Sequence, residues 1–327
     1  MIFFVTVLRA LAACLITNAH YTGVYPTDLI ANGGLIGDVL FFAVSGYCLY
    51  NIKTGFLKWY SKRLVRCYLP VLLVTALYML LGFYTLNENG FVWWYVYPTY
   101  YHFVASIVVL YIPYFLIIKF DFLRNRLLHI MIAVGIVAVV TYAFFYDKTY
   151  YHIDTVREPF IRFLFFESML LGAWFKQKDQ KHRGEFSWKH IVACFFAFIV
   201  YFASKLVFSK VESISVLQIV NQALIFILLF FIFRLFSGLD DILNRMPRFM
   251  KKGIEYISEI TLEIYVVQYV LIDIIRPVFR FPLNWLALTF SIIVSATALH
   301  YICKPILQLF ERMMSLKKSD NAIKGEK

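Results

Sequence analysis

Arg9 and His20 stand eleven positions apart in residues 2–21, IFFVTVLRALAACLITNAHY, a run otherwise apolar except for Asn18 and two threonines. A charge placed in hydrocarbon costs roughly 2.5–3.5 kcal/mol for Arg on insertion scales, so a chain keeps one there when it faces a bundle interior and acts there. Eleven residues of helix turn about 1100°, three turns plus roughly 20°, so both side chains share a face, about 16 Å apart along the axis. That spacing predicts a polar stripe along one wall of a cavity. Its chemistry is that of a fixed cation and an imidazole able to accept a proton.

Other polar residues inside apolar runs extend the candidate set: Asp38, Ser45, His102, Arg162, Glu167 and Gln268. A carboxylate beside a histidine fixes its tautomer, which makes His20 with Asp38 the natural general-base pair. Each residue taken alone also fits a snorkelling side chain or a helix–helix hydrogen bond. A second cluster, Lys62-Arg63-Leu64-Val65-Arg66, puts Arg63 and Arg66 at i, i+3 on one helical face. Paired guanidinium groups bind phosphates bidentately; ordinary cytoplasmic positive charge accounts for the same residues. There is no Gly-rich phosphate loop, which argues against nucleoside triphosphate hydrolysis.

These residues need membrane helices to position them. Of 327 residues, 61% are hydrophobic and 16% charged, and mean hydropathy is +0.71, against roughly 45–50% apolar and 25% charged in soluble domains. A window of about 19 residues gives ten candidate spans at 3–22, 34–52, 67–85, 100–118, 128–146, 159–175, 190–208, 216–236, 254–275 and 285–308. The fold class is therefore an all-α polytopic bundle of about ten spans. Lys and Arg concentrate in the even-numbered connections and the C-terminal tail: Lys53, Lys58, Lys62, Arg63 and Arg66, for example, precede the third span, whereas 23–33 and 86–99 carry none. The positive-inside bias makes the even connections and both termini cytoplasmic. That orientation puts His20, Asp38, His102, Arg162 and Gln268 at similar outer height, and Arg9 in the cytoplasmic half of the first helix. Residues 1–312 form the membrane domain and 313–327 a cytoplasmic basic tail.

The net charge of +12 comes from residues scattered between apolar runs rather than gathered on one domain, which excludes a nucleic-acid partner. Cys14, Cys48, Cys67, Cys194 and Cys303 have no metal-ligand spacing and read as small buried hydrophobes, so no metal is expected. Leu11-Ala12-Ala13-Cys14 looks like a lipoprotein cleavage box, but no basic segment precedes it and Arg9 interrupts the run, so the first segment is expected to remain an uncleaved helix.

Three blocks together resemble the acyltransferase-3 family of bacterial membrane enzymes that O-acylate surface carbohydrates. Leu8-Arg9-Ala10-Leu11-Ala12 followed by His20 resembles its Arg-x10-His signature. Gly37-Asp38-Val39-Leu40-Phe41-Phe42-Ala43-Val44-Ser45-Gly46-Tyr47 resembles its G-V-D-L-F-F-x-L-S-G-F segment, and Lys62-Arg63-Leu64-Val65-Arg66-Cys67-Tyr68-Leu69-Pro70 its R-R-x-x-R-I-Y-P segment. Weaker similarities lie around His102, at 165–172 and at 258–268, where Gln268 stands in place of a frequent family histidine.

The resemblance implies an O-acetyltransferase of the bacterial inner membrane, with no bound cofactor. Acetyl-CoA or another acyl-CoA would be the cytoplasmic donor, and a cell-surface or lipid-linked glycan hydroxyl the acceptor. His20 and Asp38 would be catalytic, Arg9, Arg63 and Arg66 would bind the donor, and Ser45, His102, Arg162, Glu167 and Gln268 would line the acceptor cavity. Membrane lipids are the remaining partner. The alternative from another class is a multipass transporter or flippase for an anionic or glycan substrate, since buried Arg and His serve substrate binding and proton coupling equally.

Overall fold

The computed structural model describes residues 2–324, and among them the chain forms helices and no strands. The principal helices are α1 (Phe3–Ala19), α2 (Gly34–Leu49), α3 (Phe56–Leu80), α4 (His102–Lys119), α5 (Leu127–Phe145), α6 (Ile161–His182), α7 (Trp188–Lys210), α8 (Ile219–Gly238), α9 (Arg248–Glu259), α10 (Thr261–Ile275) and α11 (Leu283–Lys324). Short helical turns join several of them. Six helical segments are long and apolar enough to cross a membrane: Phe56–Leu80, Thr99–Lys119, Leu127–Phe145, Trp188–Lys210, Ile219–Gly238 and Leu283–Met314. Helices α1 and α2 are apolar but shorter. Helix is the expected choice, because within hydrocarbon every backbone N–H and C=O must be satisfied inside its own segment or a closed barrel.

Element boundaries depart from the hydropathy reading, and three of the departures concern elements that carry candidate residues. Helix α3 begins at Phe56, so Lys58, Lys62, Arg63 and Arg66 lie on the helix rather than in a connection before it. A hydropathy window ends where charge begins, whereas the backbone hydrogen bonds continue through charged residues. The run 254–275 is broken at Ile260 into α9 and α10. Helix α1 stops at Ala19, one residue before His20, and the chain then turns through Gly23, whose φ of 73° suits glycine. Of the cysteines, Cys67 and Cys303 are buried, while Cys14 and Cys48 lie on exposed helix surface.

The chain divides into two compact units. The first comprises Met1–Ala19, Gly33–Ile52 and Pro113–Glu259; the second comprises His20–Asn32, Lys53–Ile112 and Ile260–Lys327.

Small residues close the first unit. A Cβ on Gly46 of α2 would overlap the carbonyl oxygen of Met169 on α6, and one on Gly172 of α6 would overlap that of Ala43 on α2. The two helices therefore touch backbone to backbone, as small-residue positions permit in membranes. Gly37 repeats the device against α1, where a Cβ would lie 2.7 Å from Ile16 and 2.9 Å from the Ala12 carbonyl oxygen. Phe42 and Phe165 stack at 4.3 Å beside this seam.

The second unit is packed with large rings instead. Tyr101 is fully buried, Tyr78 and Trp94 nearly so, and the Tyr78 hydroxyl donates 2.8 Å to the carbonyl of Val267 on α10. A buried phenol needs such a partner.

Candidate active site

In the first unit, α1 and α2 hold Arg9, Asp38 and Ser45. Arg9 Nη2 donates to Cys48 Sγ at 3.4 Å, tying the side chain to α2. Asp38 follows Gly37, the residue pressed on α1, and is itself 5% exposed. An ionised carboxylate is costly to bury, which marks the position as a functional candidate. Ser45 is half-buried one position before the Gly46 contact. Arg162 is the second residue of α6. Glu167, one and a half turns further, places Oε1 2.9 Å from where a Cβ on Gly135 of α5 would stand. A side chain at 135 would require that carboxylate to shift.

The second unit holds His20, Arg63, Arg66, His102 and Gln268. His20 lies just past the end of α1, and its ring meets Tyr269 of α10 at 5.0 Å between centroids, edge to face. His102 opens α4 and faces Tyr265 at 6.3 Å. Gln268 is fully buried, with neither amide atom hydrogen-bonded among the described residues. Arg63 is fixed by its own helix: Nη1 donates 2.8 Å to the Trp59 carbonyl, and the guanidinium lies 4.1 Å over the Trp59 ring. Arg66, one turn on, is exposed. The i, i+3 pair thus combines one pre-ordered and one exposed guanidinium. His20 and Asp38 belong to different units, as do Arg9 and His20.

Sequence reasoning missed two buried ionic arrangements. His300 of α11 and Glu263 of α10 pair at 3.0 Å, both largely buried. The signal was present, since both are ionisable residues inside apolar runs and the argument that flagged Arg9 applies to them. In the first unit, Asp240 is 1% exposed; Oδ1 accepts the Phe4 N–H at 2.9 Å, and Oδ2 accepts Arg183 Nε at 2.8 Å. An acid at the first turn of α1 satisfies an orphan N–H and complements the helix dipole. No local signal marks this contact, because it joins residues 236 positions apart.

The comparisons with known proteins bear on what this arrangement is. A family model described as an acyltransferase domain matches residues 2–304. No curated protein and no solved structure matches the chain. The matched stretch holds every candidate residue above and nearly the whole chain, and with its apolar helices this makes the protein a multipass membrane acyltransferase: the chain belongs to the acyltransferase-3 family.

Proposed function

We propose that this protein is a membrane O-acyltransferase that moves an acyl group, acetyl in the first instance, from cytoplasmic acyl-CoA to a hydroxyl of a cell-surface or lipid-linked glycan. It would reside in the bacterial inner membrane with about ten crossings and both termini inside. The observation that carries the reading is the family match over residues 2–304, which includes Arg9, His20 and the Arg63–Arg66 pair.

Arg63 and Arg66 bind the donor phosphates in this scheme. The Trp59 contacts support it, since a guanidinium already ordered loses less freedom on binding. Arg9 lies along the donor path, toward the pantetheine arm or the thioester carbonyl. His20 takes the acceptor hydroxyl's proton, and Asp38 is the second residue given a catalytic role. The hydroxyl oxygen attacks the thioester carbonyl, the C–S bond breaks, and the coenzyme leaves as a thiol after receiving a proton. Ser45, His102, Arg162, Glu167 and Gln268 line the acceptor side.

The test is mass spectrometry of envelope glycans from cells carrying wild-type protein, His20→Ala or Arg9→Ala. Both variants are expected at normal membrane abundance with the acyl mass increment abolished. An undiminished increment in His20→Ala cells rules out the role given to His20. A change in glycan amount or location without any wild-type increment would favour transport instead.

A further inference from the structure

The segment following α3 is unusually aromatic: Phe91-Val92-Trp93-Trp94-Tyr95-Val96-Tyr97-Pro98-Thr99-Tyr100-Tyr101. It does not continue as α-helix. It forms a wide turn at Val92–Val96 and a tight one at Thr99–Tyr101, which carry its rings onto α10 within the second unit. Tyr100 meets Tyr269 at 5.3 Å, and Trp93 meets Tyr100 at 5.5 Å. Tyr269 in turn meets His20 at 5.0 Å. A continuous file of rings therefore leads from Trp93 through Tyr100 and Tyr269 to the imidazole.

Successive rings in that file are inclined at 66°, 64° and 69°. They form corners that present faces and edges alternately, not a flat stack. All four members are half-buried, so each keeps part of its surface accessible. Behind them Trp94 and Tyr101 are buried and fix the outer layer, at 4.9 Å from Tyr100 and 5.8 Å from Tyr269. Gln268, beside Tyr269, adds a buried amide whose donors and acceptor have no protein partner among the described residues. An unmet buried amide is costly, and a ligand that hydrogen-bonds it recovers the loss.

We infer that this aromatic file is the acceptor subsite, binding a sugar ring through its C–H face on Trp93 and Tyr100 so that a hydroxyl reaches His20. The inference rests on the acyl-transfer reading above and adds which residues hold the acceptor. A pyranose has an apolar face and a polar rim. Aromatic faces flanked by phenol, amide and imidazole groups match that division, as specific pockets usually combine apolar walls with a few placed polar groups. An acyl chain would have no use for the polar tips. Tyr and Trp also gather as belts at membrane interfaces, but belt rings face lipid, whereas this file contacts an imidazole and rings of another helix.

The test uses purified protein in nanodiscs, radiolabelled acetyl-CoA, and as acceptor the glycolipid extract of cells lacking the protein. Trp93→Ala and Tyr100→Ala are expected to raise the acceptor KM about tenfold with the donor KM unchanged, while Tyr100→Phe and Trp93→Phe stay near wild type. If wild-type protein transfers no label, the acyl-transfer reading itself fails. If wild type transfers label and the alanine variants keep its acceptor KM, the subsite is elsewhere. Equal losses against donor and acceptor, accompanied by a lower melting temperature, would make the rings packing elements or an interfacial belt, and would likewise overturn the assignment.

Discussion

The two units solve the same packing problem in opposite ways. In the first, α2 and α6 approach until backbone meets backbone at Gly46 and Gly172. In the second, rings such as Tyr78, Trp94 and Tyr101 fill the space between α3, α10 and the aromatic turn. Lipid tails are as apolar as leucine, so neither unit gains from hiding hydrophobic surface from water; both depend on packing and hydrogen bonding. Glycine contact gives a dry seam with no space for a ligand. Ring packing leaves corners between inclined planes, and those corners adjoin His20. The aromatic file proposed above to hold the acceptor belongs to the unit built from large side chains.

The contrast breaks most sharply at the glycines. Gly46→Val and Gly172→Val are expected to abolish folded protein, seen as loss of the monodisperse peak in size-exclusion chromatography. The obstruction is backbone on both sides, so no rotamer change relieves it. The second unit should show the reverse sensitivity. Tyr101→Ala, which empties a fully buried ring site, should cost about 3–5 kcal/mol by analogy with other aromatic truncations, read as a lowered unfolding midpoint with some folded protein retained. If Gly46→Val is tolerated better than Tyr101→Ala, the contrast between the units is wrong.

Smaller effects sharpen it. Asp240→Ala leaves the Phe4 N–H and Arg183 without their acceptor and should cost about 1–3 kcal/mol. Arg183 is 39% exposed and can turn to water, which keeps the cost at the lower end. Lys62→Ala, which removes an ion pair with Glu311 at 3.7 Å and 34% and 63% exposure, should change the midpoint by less than about 0.5 kcal/mol. A cost from Lys62→Ala as large as that from Asp240→Ala would mean that exposure does not rank the ionic contacts.

Much of the fold was legible in the chain. The all-helical class followed from apolar run lengths, and the family from the Arg9–His20 spacing with the Asp38 and Arg63–Arg66 blocks. Boundaries were less so. The charged residues at 58–66 hid the start of α3, because hydropathy records solvent preference rather than backbone continuity. The same bias passed over Ile260, where the helix is interrupted. The Arg9–His20 stripe assumed one unbroken helix, and α1 ends at Ala19. Nor did a reading for ionisable residues notice the aromatic segment at 91–101, whose weight lies in where its turns carry the rings.

The sequence by itself determined which segments are apolar, which polar residues lie within them, and hence the class and family of the protein, because transfer into a membrane is governed by local composition. Only the tertiary structure decided who meets whom: Asp240 with the first turn of α1, Glu263 with His300, Gly46 with the backbone of α6, and His20 with Tyr269. Those contacts join residues 37 to 249 positions apart or depend on a helix ending one residue early, and no local pattern records them, since a long-range contact is fixed by packing of the whole chain.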